Sequence, residues 1–223
     1  MKLFVIDTET TGLELDFCDT IEVAGCLYDT ELKSEIATVQ FLINCVESNP
    51  AQFINGISKE LLQKANFNMT FYSMHLFNSL YNECDYIVAH NAAFDRKFLL
   101  KSKLIDDSKP WICSQQDLSF PKQKKSGVLI HISIDHNLAP SNVHRALGDV
   151  QTLCNLLKVV PDLEDQIRKS GSRLVFMPVS KSFSMNPQLK EHNFKFNGET
   201  KLWSRKMTPD EAGLLPFQVR SEK

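Results

Sequence analysis

No run of apolar residues in this 223-residue chain approaches the roughly 18 that a membrane span needs. The first residues, Met1-Lys-Leu-Phe-Val-Ile-Asp7, place an unbroken run of only four apolar side chains before an acid, too few for the hydrophobic stretch of a signal peptide. A cytoplasmic setting is the expectation. Zinc-finger spacing is missing as well. The six cysteines, at 18, 26, 45, 84, 113 and 154, include no Cys-x-x-Cys pair and no close histidine partner. They read as reduced core residues, most clearly Cys26 in an apolar strand pattern and Cys154 in an apolar helix pattern. No internal repeat or low-complexity tract appears, and 43% apolar with 23% charged residues is the mix of a chain that buries a core, which excludes disorder.

An excess of one charge is also lacking, since the formal net charge is only −2. The distribution is uneven, however. Of the 25 basic and 27 acidic residues, 16 and 22 fall in residues 1–171, and 9 and 5 in residues 172–223. An acidic body does not hold nucleic acid by charge alone, yet it suits an enzyme in which cations meet the phosphate. A basic tail can supply the missing attraction.

What is present is a succession of strand and helix patterns. Leu3–Ile6 reads as a buried strand ending in Asp-Thr-Glu-Thr-Thr-Gly; Thr20–Tyr28 and Glu35–Ile43 follow as strands, with short connections that favour an antiparallel meander. Ser58 is a candidate cap for a helix over Lys59–Ala65, and Thr70–Glu83 lines up Phe71, Met74, Phe77 and Leu80 or Tyr81. Tyr86–His90 reads as a buried strand, Ala92–Lys103 as a helix, Trp111–Cys113 as a short strand and Arg145–Leu157 as an amphipathic helix. The Pro161–Ser172 stretch has linker chemistry. The predicted organisation is therefore a domain over 1–160, a linker over 161–172 and a small basic α+β module over 173–223, with a helical start at Asn186 and a hairpin at Asn197-Gly198.

Three segments carry chemistry. Asp7 and Glu9, two apart on a strand, project on one face, where like charges repel unless a cation joins them; the plainer alternative is an exposed strand end. Asp95 falls in the first turn of its helix, where an acid also serves the macrodipole, and His90 beside it is otherwise a hydrogen-bonded strand-end residue. In His144-Arg-Ala-Leu-Gly-Asp149 the histidine precedes a helix that carries the aspartate. A neutral imidazole, abundant at neutral pH from an ordinary pKa of roughly 6.5, can accept a proton from an attacking water. The alternative is that Asp149 only pairs with Arg145 one turn away.

Taken in order, Asp7-Thr-Glu-Thr-Thr-Gly-Leu13, His90-Asn-Ala-Ala-Phe-Asp95 and His144-x4-Asp149 resemble the three motifs of the DEDDh (DnaQ-like) 3′–5′ exonucleases, which include proofreading subunits of bacterial replicative polymerases. The resemblance covers about residues 1–158. It implies an α/β, ribonuclease H-like fold: a five-stranded mixed sheet flanked by helices. It implies two divalent ions, Mg²⁺ or Mn²⁺, held by Asp7, Glu9, Asp95 and Asp149, with His144 as general base. It also implies that Thr10, Gly12 and Leu13 meet the 3′-terminal nucleotide in a pocket shaped by His90, Asn91 and Phe94; Leu13 and Phe94 have an alternative reading as core residues. The implied activity is release of nucleoside monophosphates from DNA 3′ ends, alone or with a polymerase or other DNA-processing complex. An exoribonuclease is the alternative, and a silent nucleic-acid-binding or polymerase-docking module a more distant one.

Two departures stand out. Val128–Pro140 reads strand-like where family members usually have an apolar helix, and His131 and His136 lack an aspartate five positions on, which assigns them to structure or surface. In the tail, Phe194, Phe196 and Trp203 alternate with Lys195, Lys201, Arg205 and Lys206, a pattern that either stacks bases and grips phosphates or forms a mini-core with solvated lysines outside.

Overall fold

The computed structural model describes residues 1–44, 48–65, 67–124, 126–171, 173–180, 183–198 and 200–221. Cys45 and Ser172, both named above, lie outside the described residues. The chain divides into two units, Met1–Glu164 and Asp165–Lys223.

In the first unit, β1 (Lys2–Thr10), β2 (Thr20–Asp29) and β3 (Ser34–Leu42) form the antiparallel meander, followed by α1 (Gln52–Asn55), α2 (Lys59–Gln63) and α3 (Phe67–Glu83). Then come β4 (Tyr86–Ala89), α4 (Ala92–Lys101), β5 (Trp111–Cys113), α5 (Ser114–Asp117), α6 (Leu129–Asp135) and α7 (Ala146–Leu157). The sheet order is β3-β2-β1-β4-β5, with β1 antiparallel to β2 and parallel to β4. This is the mixed five-stranded sheet, flanked by helices, of a ribonuclease H-like fold.

β1 sits at the centre because it is buried on both faces. Phe4 and Ile6 join Phe77 and Leu80 of α3 and Leu99 of α4 in one core, and the intervening residues face α7. Ser58 caps α2 by accepting from the Leu61 N–H at 3.1 Å. In α3, Phe77, Leu80 and Tyr81 are buried as the periodicity predicts, whereas Phe71 is exposed. Its ring instead stacks edge-on with His75 at 4.3 Å. The four described cysteines other than Cys18 are buried, and all five are free thiols. Among the described residues no helix is long and apolar enough to cross a membrane.

The strand expectation for Val128–Pro140 is wrong, because Leu129–Asp135 is helical. Leu129, Ile132 and Ser133 recur at helical spacing and are buried, while Ile134 lies exposed. Burial along a 3.6-residue period outweighed the β preference of three isoleucines. His136 closes this helix structurally: Nδ1 donates to the Ile132 carbonyl at 2.8 Å and Nε2 accepts from the Lys122 N–H at 3.1 Å. His131 is exposed, against Ser126 Oγ at 2.7 Å.

The stretch read as linker contains a helix, α8 (Leu163–Ser170). The second unit continues with β6 (Leu174–Pro178), α9 (Asn186–Glu191), β7 (Lys195–Asn197), β8 (Leu202–Met207), α10 (Pro209–Gly213) and β9 (Val219–Ser221). Its sheet order is β7-β8-β6-β9. The hairpin at Asn197-Gly198 is present; β6, β9 and α10 had no reading in the sequence. Phe194 is buried with Phe176, Leu189 and Met207, and Trp203 packs against them. These two aromatics therefore serve the mini-core.

β1 and β2 approach closely where Gly25 stands, since a Cβ there would lie 2.4 Å from the Phe4 ring. Gly25→Ala is expected to destabilise the protein by roughly 1–3 kcal/mol through overpacking, read as a lower urea midpoint; an unchanged midpoint would contradict the packing described.

Candidate active site

β1 delivers Asp7 and Glu9 on one face at its C-terminal end. One carboxylate oxygen from each of Asp7, Glu9 and Asp149 lies within 4.8 Å of the others. Asp149 reaches them from the first turn of α7. Asp95 comes from α4, against the opposite face, and is 2% exposed. Its Oδ1 accepts from the Thr8 backbone N–H at 3.0 Å and from Thr8 Oγ1 at 2.8 Å. Asp95 thus grips the strand between the two carboxylates of β1, adjacent to the three-acid group without being one of it.

The two helices use the same device. Asp95 and Asp149 are each the fourth residue of their helix, and each helix is entered through a left-handed residue, Asn91 at φ 66° and His144 at φ 60°. Positive φ is uncommon outside glycine, and asparagine and histidine are both among the residue types enriched there. The His144 backbone N–H donates to Asp149 Oδ2 at 3.2 Å, and the side chain is exposed. The turn leaves the imidazole clear of the core, five residues before the acid.

Electrostatics expose what the cluster lacks. Burial, with Asp95 and Asp149 nearby, holds the Asp7 carboxyl well above the usual range. Burial, with Asp149 and Glu22, pushes Glu9 up to about 8. Burial raises Asp95 to about 7, against the lowering effect of its Thr8 hydrogen bonds. Asp149 is also raised by burial, opposed by His144. Carboxylates that raise one another are short of positive charge. An all-oxygen donor set of this kind fits hard divalent cations.

Sequence reading missed the residues that hold α7 in place. Glu22, opposite Glu9 on β2, is fully buried. It accepts from Arg145 Nε at 3.0 Å and Nη2 at 2.6 Å, and from the Ala146 N–H at 3.0 Å. Arg145 therefore pairs with Glu22 rather than with Asp149. The acid in an otherwise apolar strand, Ile21-Glu-Val-Ala-Gly-Cys, was the available signal. Gly148 completes the seat: a Cβ there would lie 2.3 Å from the Asn142 carbonyl oxygen, so the loop carrying His144 closes directly onto α7.

The remaining predicted residues lie at the end of β1 and on the segments that follow β1 and β4. Thr10 Oγ1 donates to the Gly12 carbonyl at 2.6 Å, and the Thr11 N–H donates to the Asp19 carbonyl. Lys97 and Lys101 of α4 donate to the carbonyls of Leu13 and Cys18. The loop is thereby strapped down while Leu13 stays 74% exposed, so it is not a core residue. Phe94 is half-buried, 4.9 Å from the Phe98 ring and under the Lys97 ammonium. His90 is held by Ser114 Oγ at 2.9 Å and the Gly127 carbonyl at 2.7 Å. Asn55 on α1, a position without a sequence reading, donates to the Thr10 carbonyl at 3.3 Å.

Comparison with known proteins agrees with the fold and points to an exonuclease. Residues 4–104 match the RNase T family model, described as an exonuclease. The 3′–5′ exonuclease DinG of Staphylococcus saprophyticus is 29% identical over 168 residues, 69% of this chain and 17% of that protein. Escherichia coli ExoI, in a zinc-bound complex with single-stranded DNA, superposes with a TM-score of 0.63 at 16% identity, covering 85% of this chain and 50% of that one. Exonuclease X in complex with 5′-overhanging duplex DNA gives 0.52 at 24%, covering 76% and 93%. The nuclease domain of 3′hExo, a DEDDh family member bound to rAMP, gives 0.56 at 17%, covering 70% and 90%. At these identities the solved structures establish the fold. The chain spans about half of ExoI and a smaller part of DinG.

Two outcomes follow from the cluster. Arg145→Met leaves Glu22 buried without its partner, so stability is expected to fall by roughly 3 kcal/mol; a urea midpoint equal to wild type would remove Glu22 and Arg145 from the account. The raised Glu9 and Asp95 carboxyls keep protons in the folded protein that the unfolded chain releases, so between about pH 5 and pH 8 metal-free stability falls as pH rises. A divalent cation held by these carboxylates, magnesium being the probe, would compete with those protons. The gain in melting temperature from adding it should therefore widen from pH 5.5 to pH 8, and a gain independent of pH would contradict this.

Proposed function

We propose that this chain is an exonuclease of the DEDDh type, which removes nucleotides from the 3′ end of DNA by phosphodiester hydrolysis and releases nucleoside monophosphates; the match of residues 4–104 to an exonuclease family model and the similarity to the DinG 3′–5′ exonuclease support this reading. The observation that carries the reading is the convergence of Asp7, Glu9 and Asp149 within 4.8 Å at one strand end. Asp95 is fastened to the same strand, and an exposed histidine stands five residues before Asp149.

Asp7, Glu9 and Asp149 would hold the divalent ions, with Asp95 completing the acidic shell. When bound, Mg²⁺ or Mn²⁺ supplies charge to offset the phosphate and to acidify the attacking water. His144 accepts the proton that this water loses as its oxygen bonds to phosphorus and the bond to the 3′-oxygen of the preceding nucleotide breaks. The exposed Leu13 side chain packs against the terminal base. The rigid Thr10–Leu13 backbone sets the position of the 3′-hydroxyl, and Phe94, Asn91 and His90 form the wall behind it. Asp95 keeps β1 in register, so that the two acids beside Thr8 keep their aim.

DNA is the favoured polymer because neighbours bound to DNA span more of this chain than does 3′hExo. The rAMP in 3′hExo supports the second reading, trimming of RNA ends. The free cysteines suit a cytoplasmic setting, with a polymerase or other DNA-processing assembly as the partner this activity would serve.

Incubating 5′-labelled single-stranded DNA, duplex DNA and RNA of matched sequence with magnesium should give a ladder shortening from the 3′ end, fastest on DNA. Faster cleavage of RNA would reverse the order of the two readings. His144→Ala is expected to slow cleavage by roughly 10²–10⁴-fold while leaving magnesium-dependent thermal stabilisation in place. Wild-type turnover in that variant would take the role of base away from His144.

A further inference from the structure

We infer that Arg145 is a substrate-binding residue: tied to Glu22 by one edge of its guanidinium, it offers the other edge to a phosphodiester at the 3′ end of the strand. The contact rests on the proposed hydrolysis for the identity of the ligand, and it adds a phosphate donor that the carboxylates and His144 do not supply.

Arginine presents five N–H donors in a rigid planar fork. In Arg145, Nε donates to Glu22 Oε2 at 3.0 Å and Nη2 donates to Glu22 Oε1 at 2.6 Å. These bonds use one edge of the fork, and Nη1, on the other, donates to no described residue. The side chain is 26% exposed, so the fork is not sealed in the core. Its anchor is fixed. Glu22 is fully buried, and its carboxylate also accepts from Gln40 Nε2 of β3 and from the Ala146 N–H. A carboxylate filled with donors in this way has no oxygen to spare for an ion. That explains why an acid directly across the ladder from Glu9 stands outside the group of three that can share one.

The free edge lies beside the acids. Arg145 follows His144 directly in the chain. Burial and the neighbouring acids raise the Glu9 carboxyl, and Arg145 lowers it. Hydrogen bonding to Glu22, and then the charges of Glu22 and Glu9, raise the guanidinium in turn, against burial. Among the leading influences on Asp7, Glu9, Asp95 and Asp149, Arg145 is the one permanently charged cation. Lys97 and Lys101, on α4, are occupied with the carbonyls of Leu13 and Cys18. Glu22 cancels the charge of Arg145, so the pair contributes direction rather than net attraction: a fork held by one edge can meet phosphate oxygens with the other. Lysine would spend its compact ammonium on Glu22 and have no second edge.

The test is binding of an oligothymidine that carries one methylphosphonate, a neutral replacement for the phosphodiester, at the first, second or third linkage from the 3′ end. Affinity is measured by fluorescence anisotropy on the full chain, with Ca²⁺ in place of Mg²⁺ as the oxygen-seeking cation. At one of these linkages the neutral group should cost wild type about tenfold more affinity than it costs Arg145→Lys, the loss expected for a hydrogen bond to a charged group. At the other linkages the two proteins should lose equally. Glu22→Gln/Arg145→Gln, which leaves no buried carboxylate unpaired, should behave as Arg145→Lys does. If the pair only seats α7, both variants bind all the strands more weakly by one common factor and keep the wild-type loss at every linkage, and that result overturns the proposal. Should the chain still shorten 3′ ends in Mg²⁺ in that case, the hydrolytic reading survives without the contact. Linkage-specific loss through Arg145 in a chain that shortens no 3′ end would refute hydrolysis and leave the contact standing, and a chain that binds none of the strands overturns both.

Discussion

Mutual repulsion among carboxylates at the end of one central strand is the constraint around which the first unit is arranged. Asp7, Glu9 and Asp149 share a volume too small for three unscreened negative charges, and the surroundings are dry enough that burial is the leading cause of the upward shift of each. Such a cluster costs stability in the absence of a counter-charge, because each acid must either keep a proton or face its neighbours ionised. Cations resolve the conflict. The protein thus stores, in its metal-free form, the tendency to bind the ions that phosphodiester chemistry uses.

Holding that arrangement requires rigid supports, and they come in pairs. On one side of β1, Asp95 grips Thr8 through two hydrogen bonds. On the other, Glu22 grips Arg145 and the first N–H of α7. Each support ties a helix to the strand next to the acids, and each helix is entered through a left-handed residue. The buried ion pair spans 123 positions in sequence, so the seat of α7 forms only once the sheet is assembled. Gly148 removes the one side chain that would hold the His144 loop away. Electrostatic need and backbone shape therefore act on the same few residues.

How much of this was legible in the sequence depends on the range of each interaction. Asp7 with Glu9, and His144 with Asp149, are local patterns whose geometry follows from strand and helix periodicity, and they read directly. So did β1 to β5, α3, α4 and α7, where apolar spacing and burial coincide. The Glu22–Arg145 pair was not legible, because nothing local links positions on opposite ends of the unit. Val128–Pro140 misled because isoleucine favours strands, and only its tertiary environment shows that Leu129 and Ile132 bury on a helical period. In the tail, charge and aromatic residues alternate in either reading. The register of β7 on β8 decides which side chains turn inward.

The central claim is that Asp7, Glu9 and Asp149 together form a divalent-cation site. It is tested most directly by titrating Mn²⁺ into the protein without nucleic acid, with bound ion counted by the loss of the free-ion electron paramagnetic resonance signal. The account predicts saturable binding in the wild-type protein and its loss in Asp7→Asn, since Asp7 lies among all the other acids. Equal Mn²⁺ uptake by the two proteins would contradict it.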